Sequence, residues 1–585
     1  MKKIMNTPET LVLEMCNGIA AAHPSIEFIE KFKILKKVKM NPNKVSLISG
    51  GGSGHEPAHA GFIGVGMLDA AVCGDVFASP SQIQVYKALK QTKSNKGTLL
   101  IIKNYSGDIM NFKNAAFLAK EDGMTVDYVK VDDDIAVEDS LYTVGRRGVA
   151  GTVFVHKVAG AAAEAGLELQ EVKRIANKVV EHVKSIGFAF SSGTVPAKGT
   201  PTFTLADDEM EYGVGIHGEP GIKKEKIMGA DKLALKMVNA LLKELKIEEK
   251  TSQEIAIMVN GFGATPLQEL YLFNNAVMSI LHEKGVNATR IFVGNYMTSL
   301  DMEGASLSML KLDPEIKKYL VAKSDAPAFK VDGNEPDSCF KPLSKNEVQA
   351  EGKYTVETPA EYKVIKNEKV TLNNMKYIMD KMAEVIIINE IPFCELDAHA
   401  GDGDFGMSIA KGFKQLKREW KHITRAEITT IGGFLEECSL IIMEHCGGAS
   451  GPIWGSAFRS AGKCAGGRVE LTTLEFAKMM QAGIKGIQST GERSFGRGAV
   501  VGDKTLIDAL VPCADAWMQD AQNGEQFTKI FVHAAKEAVN GAKKTEKIVA
   551  RMGRAGTVGE RSIGYPDAGA FGLGVIFTEI SKVLV

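Results

Sequence analysis

The sequence predicts a multidomain protein in which an α/β domain is followed by an all-α domain. Its 585 residues are too many for one hydrophobic core and correspond to roughly four structural units. Between Val45 and about Leu312, short apolar runs alternate with amphipathic helical stretches, as in α/β proteins. From Leu372 onward, apolar residues recur at helical spacing and strand signals are almost absent. We therefore expect an α/β domain over residues 1–330 and an all-α domain over residues 371–585.

The α/β region contains several short apolar runs that are predicted to be buried strands. They are KVSLISG, GTLLIIKNY, VDYVKV, EIAIMVNGFG and TRIFVGNY. The stretches LQEVKRIANKVVEHVKSIG and LQELYLFNNAVMSILHEKG, which lie between such runs, have the amphipathic period of helices. Residues 331–370 are polar, contain prolines and lack periodicity, which predicts an interdomain linker.

The second region is a series of long stretches with helical periodicity. They are LNNMKYIMDKMAEVIIINEI, FLEECSLIIMEHCGG, TLEFAKMMQAGIKGI, TLIDALVPCADAWMQDA and FTKIFVHAAKEAVNGAKKTEKIVARMG. Glycine-rich loops separate them, and glycine, at 60 residues in the chain, exceeds its usual share of about 7%. This pattern predicts helices joined by glycine-rich loops.

Composition narrows the functional classes. The formal net charge is −1, so neither nucleic acid nor an anionic membrane is an expected partner. No run approaches the ~18 apolar residues of a membrane span, and the first residues lack the apolar core of a signal peptide. The eight cysteines form no CxxC pair, which indicates reduced thiols, no structural zinc and a cytoplasmic location.

The stretch YGVGIHGEPG places one histidine, His217, among four glycines. Glycine costs roughly 0.5–1 kcal/mol relative to alanine where regular structure could form, so such a loop either turns sharply or lets a ligand approach the backbone. The spacing Gly213-x-Gly215-x-x-Gly218 also fits a dinucleotide-binding fingerprint, which requires a preceding apolar strand and a following helix. Here ADDEMEY precedes the loop and GIKKEK follows it, which argues against that reading. A tight turn with a bystander histidine is the alternative to a binding loop.

Two further glycine-bearing loops in the α/β region carry reactive side chains. His55 follows the glycine-rich residues 50–54 directly after a predicted strand, and Lys103 and Asp108 follow another strand. Ligands bind outside the carboxyl ends of the strands in open α/β sheets. Each residue alone could cap or satisfy a loop, but three such loops in one domain favour a binding site.

In the all-α region, the stretch ELDAHAGDGDFG holds three aspartates, Asp397, Asp402 and Asp404. Carboxylates this close repel one another unless a hard cation such as Mg²⁺ binds them, often together with substrate phosphates. The spacing is not that of an EF-hand, and a solvated acidic turn is the alternative.

Three loops of the same region contain glycine: HCGGASGPIWG, VVGDKTLIDAL and RMGRAGTVGERSIGYPDAGAFG. Backbone N–H groups in such loops and at helix starts bind anions. None of the loops has P-loop spacing, so we expect a phosphate site without a Walker motif.

Several long motifs occur in a fixed order along the chain. They are GGGSGHEPAHAGF, CGDVFASPS, KNYSGD and GIHGEPG, followed by AGDGDFG, GGASGP, GDKT and GERSIGYPDAGA. Together they resemble the dihydroxyacetone kinase family over almost the whole chain, in the layout of its single-chain, ATP-dependent form. The resemblance implies a ketose-binding K domain of two α/β subdomains and a nucleotide-binding L domain built as a barrel of antiparallel helices. It also implies a glycerone kinase of glycerol metabolism that uses Mg²⁺ and ATP.

The resemblance assigns roles to the residues of the α/β region. His217 matches the histidine that bonds covalently to the substrate carbonyl as a hemiaminal, and a neutral imidazole nitrogen is a suitable nucleophile for a ketone. His55 matches the general base, with Asp108 near the same terminal hydroxyl. The implied substrate-binding set is Gly52, Ser53, Gly54, His55, Lys103, Asp108 and His217.

The resemblance also assigns the second region. Asp397, Asp402 and Asp404 match the family's Mg²⁺ ligands, which neutralise charge on the transferring phosphate. The positions that match nucleotide contacts are Phe405, Gly406, Met407, Ser408, Ala449, Ser450, Gly491, Leu506, Arg554, Asp567, Ala568 and Gly569. The positions that depart from the family pattern are Phe405, Thr557, Val558 and Ala568. These departures bear on nucleotide affinity and loop contacts rather than on the reaction class.

Partners and substrates follow from the same resemblance. Single-chain members form dimers in which the L domain of one chain reaches the K domain of the other, and a long linker allows that arrangement here. Erythrulose, another short ketose or glyceraldehyde is an alternative substrate, since one extra hydroxymethyl group changes only the pocket shape. A non-catalytic ketose-binding regulator is a second alternative, against which the three intact aspartates speak. Cyclisation of FAD, which some relatives perform, is not favoured here.

Overall fold

The computed structural model describes residues 3–137, 145–219, 221–334, 340–343 and 355–585, with Arg554 described by its backbone alone. The chain divides into two compact units, Met1–Lys345 and Asn346–Val585. The division falls inside the segment predicted to be a linker, of which residues 335–339 and 344–354 lie outside the described residues.

The first unit is built on two six-stranded sheets and a small hairpin. Its strands are β1 (Ile26–Ile29), β2 (Ile34–Lys37), β3 (Ser46–Ser53), β4 (Ala70–Val76), β5 (Thr98–Lys103), β6 (Val126–Val131), β7 (Val183–Ala189), β8 (Glu209–Tyr212), β9 (Lys223–Lys226), β10 (Glu254–Gly261), β11 (Asn287–Gly294), β12 (Gly304–Lys311), β13 (Ser324–Ala326) and β14 (Phe329–Val331). The strand orders are β1-β2-β4-β3-β5-β6 and β11-β10-β12-β7-β8-β9, and β13 pairs with β14.

Helices cover both sheets of this unit. They are α1 (Leu11–Ala22), α2 (Gln82–Gln91), α3 (Ser106–Glu121), α4 (Thr152–Glu164), α5 (Leu169–His182), α6 (Ala230–Leu245), α7 (Leu267–Glu283) and α8 (Pro314–Val321). The α/β class and the two α/β subdomains are therefore confirmed.

The first sheet brings two of the predicted site segments to one edge. β3 lies between β4 and β5 and runs parallel to both, so the carboxyl ends of these strands meet. Ser53 ends β3 and Lys103 ends β5 at this edge. The strands pack closely because β3 is rich in glycine: a side chain at Gly50 would lie 2.4 Å from the carbonyl oxygen of Val72.

The second sheet is mixed and corrects one predicted element. β10 and β11 are parallel, whereas β12, β7, β8 and β9 pair antiparallel. The stretch predicted as one helix over residues 169–187 is shorter, because α5 ends at His182 and β7 begins at Val183. All residues of β7 but one are buried, so the apolar end of the stretch serves the sheet. β8 pairs with β7 and leads into the glycine loop of His217.

The second unit is helical. Its helices are α9 (Leu372–Ile388), α10 (Glu390–Asp397), α11 (Phe405–Arg418), α12 (Trp420–Ile423), α13 (Ile431–His445), α14 (Ser450–Ala465), α15 (Thr473–Phe495), α16 (Ile507–Gln522), α17 (Phe527–Lys544) and α18 (Ala568–Ser581). Two short strands, β15 (Lys369–Thr371) and β16 (Glu470–Thr472), pair antiparallel. The helix predicted over residues 527–553 ends at Lys544, and a short 3₁₀ helix over Thr545–Lys547 follows it.

Eight of these helices form a closed ring. In the order α9, α11, α13, α14, α15, α16, α17 and α18, each helix packs against the next, and α18 packs against α9. The apolar faces meet inside the ring, where Phe434, Trp517 and Ile576 are buried. The predicted all-α barrel is confirmed.

The described end of the predicted linker is attached to the helical unit. The backbone N–H groups of Glu357 and Thr358 donate to Oδ2 of Asp380 in α9, at 2.8 and 2.9 Å. Nδ2 of Asn374, also in α9, donates to the carbonyl of Tyr362 at 2.7 Å. Among the helices of the described segments, none combines the length and the apolar character needed to cross a membrane.

Candidate active site

His55 lies in the loop that follows β3, and it is fully buried. Its Nδ1 atom is 2.8 Å from the carbonyl oxygen of Thr298. A carbonyl oxygen only accepts hydrogen bonds, so Nδ1 of His55 carries the hydrogen and Nε2 is the available nitrogen. Burial, reinforced by the charges of Lys103 and His217, holds the pKa of His55 well below its usual value. The environment therefore favours a neutral imidazole, whose Nε2 lone pair can accept a proton.

The glycines before His55 bring its loop against the end of β4. A side chain at Gly52 would lie 2.7 Å from the backbone nitrogen of Ala78. Ser53 donates its hydroxyl to the carbonyl of Gly74 at 2.7 Å. Gly54 has a φ of +102°, a conformation that glycine adopts readily. The predicted substrate-binding residues 52–54 are thus placed beside His55 by close backbone packing.

His217 lies in the loop after β8, and 17% of its side-chain surface is exposed. Its Nδ1 is 2.9 Å from Oε1 of Glu219, and its backbone N–H donates to Oε2 of the same carboxylate at 2.5 Å. The carboxylate of Glu219 occupies the space that a side chain at residue 215 would need. A Cβ at Gly215 would lie 2.1 Å from Oε2 of Glu219. The glycine-rich sequence around His217 is therefore needed to fold the loop onto its own glutamate.

A buried arginine keeps Glu219 charged. Nη1 of Arg147 lies 4.0 Å from Oε2 of Glu219, and its side chain is fully buried. Nε donates to Oδ2 of Asp134 and Nη2 to the carbonyl of Gly213, each at 2.8 Å. Burial alone would raise the pKa of Glu219, but His217 and Arg147 outweigh it and hold the pKa at about 2. Glu219 is therefore ionised, and Nδ1 of His217 is the donor in their hydrogen bond.

The two predicted histidines meet at their Nε2 atoms, which are 3.1 Å apart. Their rings stand nearly edge to face, with an interplanar angle of 77°. Phe77 stacks on His55 with ring centroids 5.1 Å apart, and Tyr105 stands edge-on to His217 at 4.6 Å. The structure thus brings together a partly exposed imidazole and a buried one inside an aromatic wall.

Lys103 and Asp108 converge on the backbone of Gly51. A Cβ at Gly51 would lie 3.3 Å from both Nζ of Lys103 and Oδ2 of Asp108. Burial raises the pKa of Asp108 against the opposing effect of Lys103, and burial lowers the pKa of Lys103 against that of Asp108. Within the described part of the chain, Nζ of Lys103 has no hydrogen-bond partner. A buried ammonium group without a partner is costly, so the site is suited to a polar ligand that accepts from it.

Sequence reasoning missed four residues of this site. Phe77 and Tyr105 stand inside motifs that it recognised, and Glu219 follows His217 by two residues, so their positions carried a signal. Arg147 is remote in the sequence from every motif and reaches the site only through the tertiary fold.

In the helical unit, Asp397, Asp402 and Asp404 come together between α10 and α11. One oxygen from each carboxylate lies within 4.8 Å of the others. α10 ends at Asp397 and α11 begins at Phe405, so the loop between these helices carries the other two aspartates. The loop closes on its first aspartate, since Oδ2 of Asp397 accepts the N–H of Gly403 at 3.0 Å. Such a group of carboxylate oxygens fits a hard divalent cation such as Mg²⁺.

A pocket beside this acidic cluster contains most of the residues predicted to contact a nucleotide. Those that line it are Phe405, Ser408, Ala449, Ser450, Leu506, Asp567, Ala568 and Gly569. Three predicted residues, Gly406, Met407 and Gly491, do not line the pocket. Met407 is 57% exposed. Gly406 packs against the backbone of α10 instead, since a Cβ at this position would lie 1.9 Å from the carbonyl oxygen of Glu390. The side chain of Arg554 lies outside the described residues.

Lys504 of the GDKT motif holds the walls of this pocket together. Its buried Nζ donates to the carbonyl of Tyr565 at 2.8 Å and to that of Ile548 at 3.3 Å, and also to that of Ser562. The carbonyls of Ser562 and Tyr565 belong to the last glycine-rich segment of the chain, and that of Ile548 lies just before it. Sequence reasoning recognised the motif but not this linking role.

Asp567 begins α18 at the same pocket. Its Oδ1 accepts the N–H of Ala570 at 2.8 Å and so caps the helix. Burial, reinforced by the negative charges of Asp508 and Asp397, raises the pKa of Asp567 to about 7. The negative charge of this pocket therefore favours a ligand that includes a cation over an anion that binds without one.

Phe405, one of the departures from the family pattern, packs inward. Its ring centroid lies 5.9 Å from that of Phe393, and a Cβ at Gly572 would lie 3.4 Å from its ring. The side chain therefore contributes to the apolar packing at the ends of α10, α11 and α18 as well as to the pocket wall.

The fold and these two sites together define a two-unit kinase of small molecules. Models of two protein families match the two units: a Dak1 domain over residues 17–328 and a DAK2 domain over residues 399–582. The chain belongs to the dihydroxyacetone kinase family, with Dak1 and DAK2 domains in one polypeptide.

Individual relatives agree with this assignment. The chain is 51% identical to the dihydroxyacetone-binding subunit of a PTS-dependent dihydroxyacetone kinase from Listeria innocua, over 54% of this chain and 95% of that protein. It is 32% identical to the L-erythrulose kinase of Pectobacterium atrosepticum, over 100% of this chain and 97% of that protein. It also matches the crystal structure of the dihydroxyacetone kinase from C. freundii in complex with AMP-PNP and Mg²⁺, with a TM-score of 0.57, 28% identity and 99% of both chains covered.

Proposed function

We propose that this chain transfers the γ-phosphate of ATP to dihydroxyacetone and forms dihydroxyacetone phosphate. The observation that carries the proposal is the meeting of His55 and His217 at their Nε2 atoms, 3.1 Å apart. One imidazole is partly exposed and the other is buried, which suits a nucleophile beside a base. The C. freundii relative in complex with AMP-PNP and Mg²⁺ supports the choice of phosphoryl donor.

The residues of the α/β unit supply capture and activation of the ketose. Nε2 of His217 adds to the ketone carbon and holds the substrate as a hemiaminal, so glycerol, which has no carbonyl group, is excluded. His55 accepts the proton of a terminal hydroxyl, near Asp108, and thereby makes that oxygen the nucleophile for phosphorus. Lys103 donates to an oxygen of the ketose and gains the partner that its buried Nζ lacks.

The residues of the helical unit supply the phosphate. Asp397, Asp402 and Asp404 would hold Mg²⁺, whose charge neutralises the phosphate oxygens during transfer. Ala449 and Ser450, at the start of α14, line the pocket and would place the N-terminus of this helix beside the phosphate oxygens. Leu506 and Phe405 offer apolar wall to the nucleotide.

A second short ketose is the alternative substrate. The Pectobacterium relative that matches the whole chain is an L-erythrulose kinase, which supports this possibility. Erythrulose carries the same reactive carbonyl and adds one hydroxymethyl group, so the roles of His217 and His55 would be unchanged. A non-catalytic ketose-binding regulator has no use for the three aspartates, which argues against that class.

We further propose a homodimer in which the helical unit of one chain serves the α/β unit of the other, and a cytoplasmic location. The dimer is proposed from the family resemblance alone. The seven cysteines in the described ranges are all free thiols, which supports a reducing compartment.

Turnover with ATP as the sole donor tests the proposal. Purified protein with Mg-ATP and dihydroxyacetone should form many equivalents of product, because ADP leaves after each cycle. A panel of three- and four-carbon ketoses and glyceraldehyde, compared by kcat/KM, separates dihydroxyacetone from erythrulose as the preferred substrate. A single equivalent of product that is renewed only by phosphotransferase proteins and phosphoenolpyruvate would contradict ATP as the donor.

A further inference from the structure

The segment that follows β11 connects the second sheet to the loop of His55. Thr298, in this segment, donates its backbone N–H to the carbonyl of His55 at 3.2 Å, and its own carbonyl oxygen lies 2.8 Å from Nδ1 of His55. The hydroxyl of Thr298 donates to the carbonyl of Glu56 at 2.8 Å. Leu300, two residues further on, donates its N–H to the carbonyl of Gly54 at 2.8 Å. The loop of His55 is therefore held from the second sheet as well as from its own.

A buried amide holds this segment in place. Asn260, near the end of β10, is fully buried, and its Oδ1 accepts the backbone N–H groups of Tyr296 and Met297, each at 2.8 Å. Its Nδ2 donates to the carbonyl of Met297 at 2.8 Å and to Oγ of Ser306 at 3.1 Å. Backbone N–H groups only donate and a backbone carbonyl only accepts, so the orientation of this amide is fixed. Asn260 thus uses both of its donor hydrogens and accepts two hydrogen bonds.

The backbone next to these contacts has an unusual conformation. Leu300 has a φ of +56°, in the left-handed region that residues other than glycine seldom adopt. Its carbonyl oxygen occupies the space of a side chain at Gly263, since a Cβ there would lie 2.0 Å from that oxygen. Ser299 donates its N–H to the carbonyl of Phe262 at 2.9 Å. Such a conformation persists only where the surrounding structure determines it, so the residues at the end of β10 set the path of this segment.

We propose that Asn260 and Thr298 are positioning residues for the base. Asn260 fixes the backbone before Thr298, and the carbonyl of Thr298 keeps the hydrogen of His55 on Nδ1 and its lone pair on Nε2. The inference rests on the proposed function, because it takes His55 to be the base. Asn260 is fully buried and reaches His55 only through Met297 and Thr298, so it acts through the base rather than on the substrate.

The tautomer of His55 decides whether this ring can act as a base. The ring nitrogen that carries the hydrogen is set by the hydrogen bond that the nitrogen makes. With the hydrogen on Nδ1, the lone pair of Nε2 is directed toward His217, whose Nε2 is 3.1 Å away. With the hydrogen on Nε2, the ring would have no lone pair there to accept a proton. Burial lowers the pKa of His55, and the hydrogen bond to Thr298 opposes this decrease. The carbonyl of Thr298 therefore favours the tautomer that the base needs.

A double-mutant cycle in the full-length protein separates positioning from general destabilisation. Asn260→Ala should lower kcat with Mg-ATP and dihydroxyacetone by about 10²-fold, the loss expected when a reacting group is displaced by about 1 Å. In a His55→Asn background the same change should have little further effect on kcat, because the group that it positions is already absent. Losses that multiply across the two changes would overturn the proposal, since Asn260 would then act on something other than His55. A wild-type kcat in Asn260→Ala would also overturn it.

A milder change tests the same contacts if Asn260→Ala does not fold. Thr298→Val keeps the shape of the side chain but removes the hydroxyl that holds the carbonyl of Glu56, so kcat should fall by about 2–10-fold, the size of one hydrogen bond. The control is Ser308→Ala, which removes a buried hydroxyl of β12 that bonds to Ser185 at 2.6 Å in the second sheet. The control should retain the wild-type kcat. A wild-type kcat in Thr298→Val, or an equal fall in Ser308→Ala, would contradict a specific role of the segment.

Resonances of nitrogen-15-labelled histidines report the tautomer of His55 without any substrate. The signal of His55 is assigned from its loss in His55→Asn. In the wild type and in Ser308→Ala the hydrogen should lie on Nδ1, whereas in Asn260→Ala part of the population should carry it on Nε2. A hydrogen on Nε2 in the wild type, or an unchanged His55 signal in Asn260→Ala, would overturn the proposal. A wild-type kcat in His55→Asn would instead contradict the proposed function, and the resonances would still decide whether Asn260 sets the tautomer.

Discussion

The two sites of this chain are organised in opposite ways. In the α/β unit, the reactive groups His55, Lys103 and Asp108 are buried; His55 is hydrogen-bonded to the chain, whereas Nζ of Lys103 has no hydrogen-bond partner among the described residues. In the helical unit, Asp402 is exposed and lies close to Asp404 and to Asp397, the last residue of α10. The first site holds its reactive groups in fixed, buried positions, whereas the second gathers carboxylate oxygens that fit a hard divalent cation.

This difference follows from the ligand that each site is proposed to take. A small neutral ketose offers few contacts, so the protein must supply a fixed nucleophile and a fixed base. A nucleotide with its cation brings its own charges, so the protein needs only oxygen ligands and backbone N–H groups. Changes in the two sites should therefore have separable effects.

The largest effect is expected from His55→Asn, which removes the base of the α/β unit. Loss of a general base typically lowers the rate by about 10²–10⁴-fold. We expect a fall of this size in kcat with Mg-ATP and dihydroxyacetone, measured in a steady-state assay, and unchanged binding of ATP. His282→Asn, at an exposed position on α7, is the control and should retain full activity. A wild-type kcat in His55→Asn would remove His55 from the mechanism.

A somewhat smaller loss is expected from Asp404→Asn in the helical unit. One charged ligand fewer should lower kcat by about 10²–10³-fold, as for other groups that stabilise charge in the transition state. The ketose adduct on His217 should persist, because it forms in the other unit. Glu395→Gln, an exposed change in α10 outside the acidic cluster, should have little effect. Loss of the adduct together with turnover would show that the two sites are not independent.

The smallest effect in this series is expected from Gly215→Ala. Its Cβ would lie 2.1 Å from Oε2 of Glu219 and 2.5 Å from Nη1 of Arg147, so the loop of His217 must shift. Overpacking of this kind costs about 1–3 kcal/mol. We expect a lower unfolding temperature of the α/β unit by calorimetry and weaker ketose binding. Gly18→Ala, in α1 with nothing within 4 Å of the new Cβ, should not destabilise the protein.

The sequence predicts the α/β unit best where a short strand is bounded by turn residues. The run VDYVKV becomes β6 over the same residues, Val126–Val131. β7 is missed because its residues follow α5 without a turn signal, so that one amphipathic stretch conceals two elements. Helices of the second unit are predicted by period alone, but their closure into a ring depends on the packing of α18 against α9.

The residues of the candidate sites also differ in whether the sequence predicts them. His217 and the three aspartates stand out because glycine and clustered charge are unusual in sequence. Arg147 does not, since an arginine is common and its burial against Glu219 arises only in the fold. Gly491 shows the reverse case, a residue that the sequence pattern assigns to a site but the structure does not. The family pattern places Gly491 at the nucleotide, whereas in this structure it does not line the pocket. The local sequence pattern therefore predicts residues that lie in glycine-rich loops or in clusters of charge. Their partners from distant parts of the chain are known only from the tertiary structure.

Intact mass measurement with dihydroxyacetone and no nucleotide tests the central claim most directly. The claim is that His217 captures the ketose independently of the phosphate site. Wild type and Asp404→Asn should each gain one ketose per chain, and His217→Ala should gain none while it still binds ATP. A ketose adduct that survives in His217→Ala, or one that is absent from both wild type and Asp404→Asn, would contradict the account.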